Sequence, residues 1–187
     1  LTVEPDTAFG RRAARGSFVP VSDTTYEEEF RIVHDTLCGA GFEHYEISNF
    51  ARAGFRARHN AAYWHGVSYL GIGPAAHSYN GDNERHWNIA SVARYIEGAP
   101  AEYERLSETD RYNECLLTRL RTVEGISLAE MERTFGHERI ARLLQAAEPS
   151  LQSGALRLSA DRLAMPPEYF LVSDTVICSL FETEEPD

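Results

Sequence analysis

"FEHYEISNF", residues 42–50, decides how the first half of this chain is read. Apolar and polar side chains alternate through it well enough for a strand, and a helical stretch precedes it by a very short link. That stretch runs from about Asp23 to Cys38. Ser22, Asp23 and Thr24 are candidate caps, and Glu27, Glu28 and Glu29 favour the positive end of a helix dipole. Tyr26, Phe30, Val33 and Leu37 recur at helical spacing and form its expected buried stripe, with Gly39 and Gly41 as the stop. Upstream, "LTVEP" (1–5) is a β-branched apolar run ended by Pro5. Strand, helix, strand at this spacing predicts a βαβ unit and therefore a parallel sheet.

Further along, a Gly/Arg/Pro loop is expected from Gly10 to Pro20. "SYLGIGPAAHSY" (68–79) is a third strand candidate, bent at its end by Pro74 and open to close backbone approach at its glycines. "SVARYIEG" (91–98) closes the region with a short helix. The pattern changes after Pro100. A helix opens on Ser107 and Asp110, and a second on Ser127 and Glu130, both at capping-box spacing. A third helix starts at His137, "GALRLSADRLAM" (154–165) reads as two short strands about a turn, and "PEYFLVSDTVICSLF" (167–181) ends as an apolar helix. That order resembles a winged helix. The expected division is 1–99, 100–181 and a disordered tail, 182–187.

Composition removes several function classes. The chain has 187 residues, 43 % of them hydrophobic and 25 % charged, as in an ordinary globular protein with a real core. No apolar run approaches the roughly 20 residues of a membrane span and no signal-peptide pattern opens the chain, so a cytoplasmic location is expected. Its net charge is −11; residues 1–99 carry nine Arg against twelve acids, and 100–187 nine against seventeen. Nucleic acid is therefore not an expected partner. All 18 basic residues are arginine, which removes Schiff-base and Walker-type lysine chemistry from this segment. Cys38, Cys115 and Cys178 lie 77 and 63 residues apart, too scattered for a local metal motif, and read as buried reduced thiols.

Chemistry concentrates in "RHNAAYWHG" (58–66) and its neighbours. Arg52, Arg56 and Arg58 carry forked donors for carboxylates. Neutral His59 can coordinate iron, and Tyr63 and Trp64 offer flat faces to a macrocycle; the alternative is a solvated loop with its two aromatics tucked into the core. His44, His65 and His86 read as hydrogen-bonded surface or core residues. Glu46, Ser48 and Asn49 are polar residues on an expected buried strand, where each needs a partner or a ligand. "GIGPAAHS" lacks the G-x-G-x-x-G spacing of a phosphate loop.

Together, "LTVEPDTAFG", "GFEHYEISNFARAG", "RHNAAYWHG" and "YLGIGPAAHS" resemble, in order and spacing, the second half of a radical S-adenosylmethionine family. That family contains oxygen-independent coproporphyrinogen III oxidase and its heme-chaperone relatives. "RLRTVEGISLAEMERTFG" and "RLAMPPEYFLVSDTVICSLF" extend the resemblance over nearly the whole chain. It implies an α/β fold: the C-terminal part of an incomplete (β/α) barrel, then a winged-helix-like α-rich domain. The His-Asn-x-x-Tyr-Trp motif of the chaperone branch stands as His59-Asn60-Ala61-Ala62-Tyr63-Trp64. The resemblance thus implies heme binding and delivery to an acceptor protein. His59 would be the iron ligand, Asn60, Tyr63 and Trp64 would border the macrocycle, and Arg56 and Arg58 would face its propionates. The alternative is oxidative decarboxylation of coproporphyrinogen III.

The resemblance also matches Val3 and His77 to S-adenosylmethionine contacts at the mouth of the barrel. The family's Cys-x3-Cys-x2-Cys motif is absent, so this chain is expected neither to hold a [4Fe-4S] cluster nor to be active alone. Pro74-Ala75-Ala76 replaces the family's more usual Pro-Gly-Ala. Self-association through the open side of the barrel is expected.

Overall fold

The computed structural model describes residues 3–183. Phe42–Phe50 does not run as one strand. It turns back on itself, so that β1 (Glu43–Glu46) pairs antiparallel with β2 (Asn49–Ala51), and the register shifts between His44 and Glu46. The cause is local. The buried Glu46 carboxylate accepts the Ser48 backbone N–H at 3.1 Å and the Asn49 amide, closing the turn with a side chain. Alternation alone cannot distinguish that turn from continued strand.

Every ladder among the described residues is antiparallel, which corrects the expected parallel pairing. Of the "LTVEP" strand, Leu1 and Thr2 lie outside the described residues, and Val3 and Glu4 have no regular secondary structure. The expected loop after it contains α1 (Ala8–Ala14), capped by the Thr7 side chain on the Gly10 N–H. Helix α2 (Asp23–Gly39) forms with its Ser22 cap, but none of its residues is fully buried. Tyr26 and Val33 are exposed, while Phe30 packs against the main core. Half of the predicted stripe is therefore not covered.

"RHNAAYW" forms α3 (Arg58–Trp64), a helix without a side-chain cap at Ala57. A second sheet follows, in the order β3 (His77–Tyr79), β4 (Glu84–Trp87), β5 (Glu102–Arg105), with the short α4 (Val92–Ile96) between the last two. Gly71 allows close backbone approach as expected, but to the chain itself. A Cβ there would stand 2.1 Å from the His77 carbonyl oxygen.

The second half follows its sequence closely. Helix α5 (Glu108–Arg119) starts with a complete Ser107–Asp110 capping box. It is followed by β6 (Ile126–Ser127), α6 (Leu128–Phe135), α7 (His137–Gln152), β7 (Arg157–Ser159) and β8 (Arg162–Ala164). The three strands form one sheet in the order β6–β8–β7, the wing of a winged-helix arrangement. The apolar C-terminal run divides into a 3-10 turn (Pro167–Val172) and α8 (Ser173–Cys178). Tyr112, Leu116, Leu120, Ile126, Leu143, Leu163, Phe170 and Ile177 form the centre of the core. The whole is a mixed α/β structure with open sheets, followed by a small α-rich region.

Of the expected tail, residues 184–187 lie outside the described residues. Glu182 accepts from Arg139 and Arg142 at 2.8 Å each and exchanges two hydrogen bonds with Asn113.

Candidate functional site

Helix α3 carries two different edges because residues four apart share a face. On one, the His59 Nε2 stands 3.2 Å from the Tyr63 hydroxyl, with the two rings edge to face at 5.0 Å. Both residues are exposed, and Tyr63 continues into an aromatic row through Tyr69 at 4.7 Å and Tyr79 beyond it. On the other edge lie Asn60 and Trp64, both half-buried. The indole of Trp64 packs under Arg121, and its Nε1 is buried without a hydrogen-bond partner.

The C-terminal end of α3 borders a cleft of about 440 Å³. Tyr63, Trp64 and His65 form one wall, Tyr69, Tyr79 and Arg85 a second, and α5 and α6 supply the rest through Glu114, Arg119, Met131 and Phe135. Three arginines in the cleft meet three carboxylates: Arg85 with Glu114 at 2.5 Å, Arg111 with Asp82 at 2.6 Å, and Arg119 with Glu130 at 3.6 Å. The last pair is loose. Burial pushes the Glu114 carboxyl above its ordinary range, although Arg85 opposes this. Burial likewise raises the Tyr69 and Tyr79 hydroxyls and the Cys115 thiol. The Cys115 thiol lies 3.3 Å from the Met131 sulfur and is the inert kind expected of a packed cysteine, whereas Cys178 is exposed.

The other sequence-derived residues are distributed more widely. Arg56 donates to Glu43 at 2.9 Å and also to Glu124, and its guanidinium lies 5.3 Å from the Tyr45 ring centroid. Its fork is thus engaged in tying β1 to the segment after α5. Arg58 is exposed and has no ion pair among the described residues. Val3 is half-buried in irregular backbone before α1. His77 stacks on Trp87 at 5.7 Å in a separate recess with Arg94 and Glu102. His44 is a satisfied core histidine. It is stacked on Phe50 at 3.9 Å, donates from Nε2 to the Ile47 carbonyl at 3.1 Å, and meets His34 through Nδ1.

Sequence reasoning did not find the α5 and α6 walls, whose residues lie some 50 to 70 positions from α3 and carry no local motif. No group of three or more His, Cys, Asp or Glu among the described residues is arranged to hold a metal ion. No helix among the described residues is long and apolar enough to cross a membrane.

Residues 106–171 match the family described as the HemN C-terminal domain. The chain is 34 % identical over 186 residues to the heme chaperone HemW of Mycobacterium tuberculosis H37Rv, covering 96 % of itself and 45 % of that protein. It is 31 % identical to heme chaperone HemW of Escherichia coli over 135 residues, 70 % of the chain and 35 % of that relative. Against the structure of the E. coli coproporphyrinogen III oxidase HemN, a radical SAM enzyme, the TM-score is 0.66 at 14 % identity, over 90 % of this chain and 44 % of that one. That similarity concerns the fold alone. The chain spans less than half the length of these relatives.

Proposed function

This chain is a member of the HemW/HemN radical S-adenosylmethionine family, corresponding to a C-terminal portion of it, and from that premise we propose that it binds heme at α3 for delivery to an acceptor protein in the cytoplasm. The observation that carries this reading is an exposed His59 held against Tyr63, on a helix whose other end borders an aromatic cleft. In this reading the His59 imidazole takes the iron, Tyr63 and Trp64 border the macrocycle, and Asn60 holds the same helix edge as Trp64. Arg58 meets a propionate from solvent. Arg56 reaches one by giving up Glu43 or Glu124.

The same reading assigns residues 1–99 to the barrel part and 100–181 to the winged-helix-like domain. It keeps Val3 and His77 for S-adenosylmethionine, which together with the cluster would supply radical chemistry in a longer relative. Exposed Leu70 and Ile72, 74 % and 83 % accessible, support self-association along the open side.

Hemin titrated into the chain is expected to give the Soret band of a histidine-ligated ferric heme, weakening on acidification as the imidazole lone pair is protonated. His59→Ala should remove one histidine-ligated equivalent without altering the circular dichroism. Superimposable titrations of His59→Ala and the wild type would overturn the assignment.

A further inference from the structure

His65 follows the last residue of α3, and its ring folds back so that Nδ1 stands 2.6 Å from the Ala61 carbonyl oxygen. A carbonyl only accepts, so Nδ1 carries the proton and Nε2 keeps its lone pair. Metal-bound histidines are commonly held this way. The outer N–H is anchored on a carbonyl, which fixes the tautomer and raises the basicity of the ligating nitrogen. His65 is exposed and lines the cleft beside Trp64 and Tyr69, whereas His59 is not part of that lining and its Nε2 is engaged by the Tyr63 hydroxyl. The cleft volume, about 440 Å³, falls in the range of small-molecule sites.

The geometry points to His65 as a second iron-coordinating position for an iron porphyrin, on the cleft side of α3 and separate from His59. This rests on the heme reading above and adds a residue and a place to it. The two histidines sit in different settings, His59 with its Nε2 against the Tyr63 hydroxyl and His65 with its Nδ1 anchored on Ala61 at the cleft side, so each is read as its own position. The helix offers an outer position at His59 and a cleft-side one at His65, where Tyr69 and Phe135 belong to the same lining. Such a pair suits a carrier that must hold its cargo against water and still present it.

A merely structural role for His65 would be to satisfy the end of the helix, as C-terminal histidines do. His65→Gln separates the two, because a glutamine amide can still donate to Ala61 but offers iron no imidazole lone pair. His137 provides a further control. It is exposed and its Nδ1 pairs with Glu132 at 2.8 Å, which sets the same tautomer, but it lies outside the cleft.

The test is hemin titration of the 187-residue chain, read at the Soret and visible bands, with folding checked by circular dichroism. The wild type should take about two histidine-ligated equivalents. His65→Ala and His65→Gln should each lose one, His59→Ala the other, and the double variant both, with His137→Ala unchanged. Wild-type titrations for both His65 variants would overturn the inference, as would an equal loss in His137→Ala. Complete loss in His59→Ala alone would overturn it and leave the His59 reading standing. If His59→Ala titrates as wild type while the His65 variants lose an equivalent, the His59 assignment fails and this inference holds. A wild-type chain that binds no hemin overturns both.

Discussion

Arg121 lies over the indole of Trp64, its guanidinium carbon 5.7 Å from the ring centroid, and neither Trp64 Nε1 nor Arg121 Nε meets an acceptor. The contact joins α3 to the segment after α5, and Arg121 also accepts the Ile47 N–H through its carbonyl and pairs with Asp174 at 3.2 Å. Both donors are buried without a hydrogen-bond partner. Removing one should be cheap, since an unsatisfied buried donor itself costs about 1–3 kcal/mol. Trp64→Phe keeps a flat face under the guanidinium and deletes the stranded N–H. Its stability in urea is expected within about 1 kcal/mol of wild type. Trp64→Ala, which loses the face as well, should cost distinctly more. Equal losses for the two would contradict this account.

His34 and His44 provide a pH dependence whose direction follows from their geometry. Their Nδ1 atoms are 2.9 Å apart, and His44 Nε2–H is committed to the Ile47 carbonyl, so His34 must donate and His44 accept. Burial holds His44 below its ordinary 6.5, the Ile47 carbonyl opposes this, His34 adds to the lowering and Glu46 opposes it. With a depressed value in the folded state, the unfolded chain takes up the proton first as pH falls below about 6.5. Stability should therefore fall on acidification between that point and the lower folded value, and rise with pH across the same window. Urea midpoints at pH 7.5 and 5.5 measure this. His44→Phe should flatten the slope, and an unchanged slope would refute the assignment.

Ala75 occupies a left-handed conformation, φ 58°, at the position where the family more usually has glycine. An alanine pays about 1–2 kcal/mol there, while a glycine costs about 0.4–1 kcal/mol through the entropy of the unfolded chain. Ala75→Gly should therefore stabilise slightly, by about 0.5 kcal/mol, against the usual trend, and Ala75→Val should destabilise by more than 1 kcal/mol or so. Thermal melts of the two variants decide it, and a clear loss for Ala75→Gly would be the contrary result.

The two arginines at the start of α3 should separate in their effects. Arg56 joins Glu43 on β1 to Glu124 after α5 at a partly exposed site, so Arg56→Gln should cost about 1 kcal/mol in chemical denaturation, and less in high salt. Arg58→Gln should leave stability unchanged and weaken hemin binding. The reverse pattern would exchange their roles.

Much of the second half was legible in the sequence because its signals are local. Ser107 with Asp110 and Ser127 with Glu130 mark two helix starts, and both Ser107 and Ser127 cap as expected. "ALRLSADRLA" encodes the wing through alternation about a two-residue turn, with Ala160 at φ 51°. The α3 helix was not legible in the sequence, since Ala57 provides no cap.

What the sequence by itself determined, then, was where the C-terminal helices begin and, through motifs spread over nearly the whole chain, the family to which it belongs. Tertiary structure alone decided the rest. Glu46 turns a would-be strand into a hairpin by accepting from residues two and three places on, a choice that depends on its being buried. Helix α5 supplies Glu114 and Arg119 to a cleft begun by Trp64 and His65, and Arg56 spends its charge on Glu124 instead of on solvent. Periodicity and caps act over a few residues and can be read along the chain. Burial, pairing direction and the far wall of a site depend on segments some 50 to 70 residues apart, and no local pattern carries them.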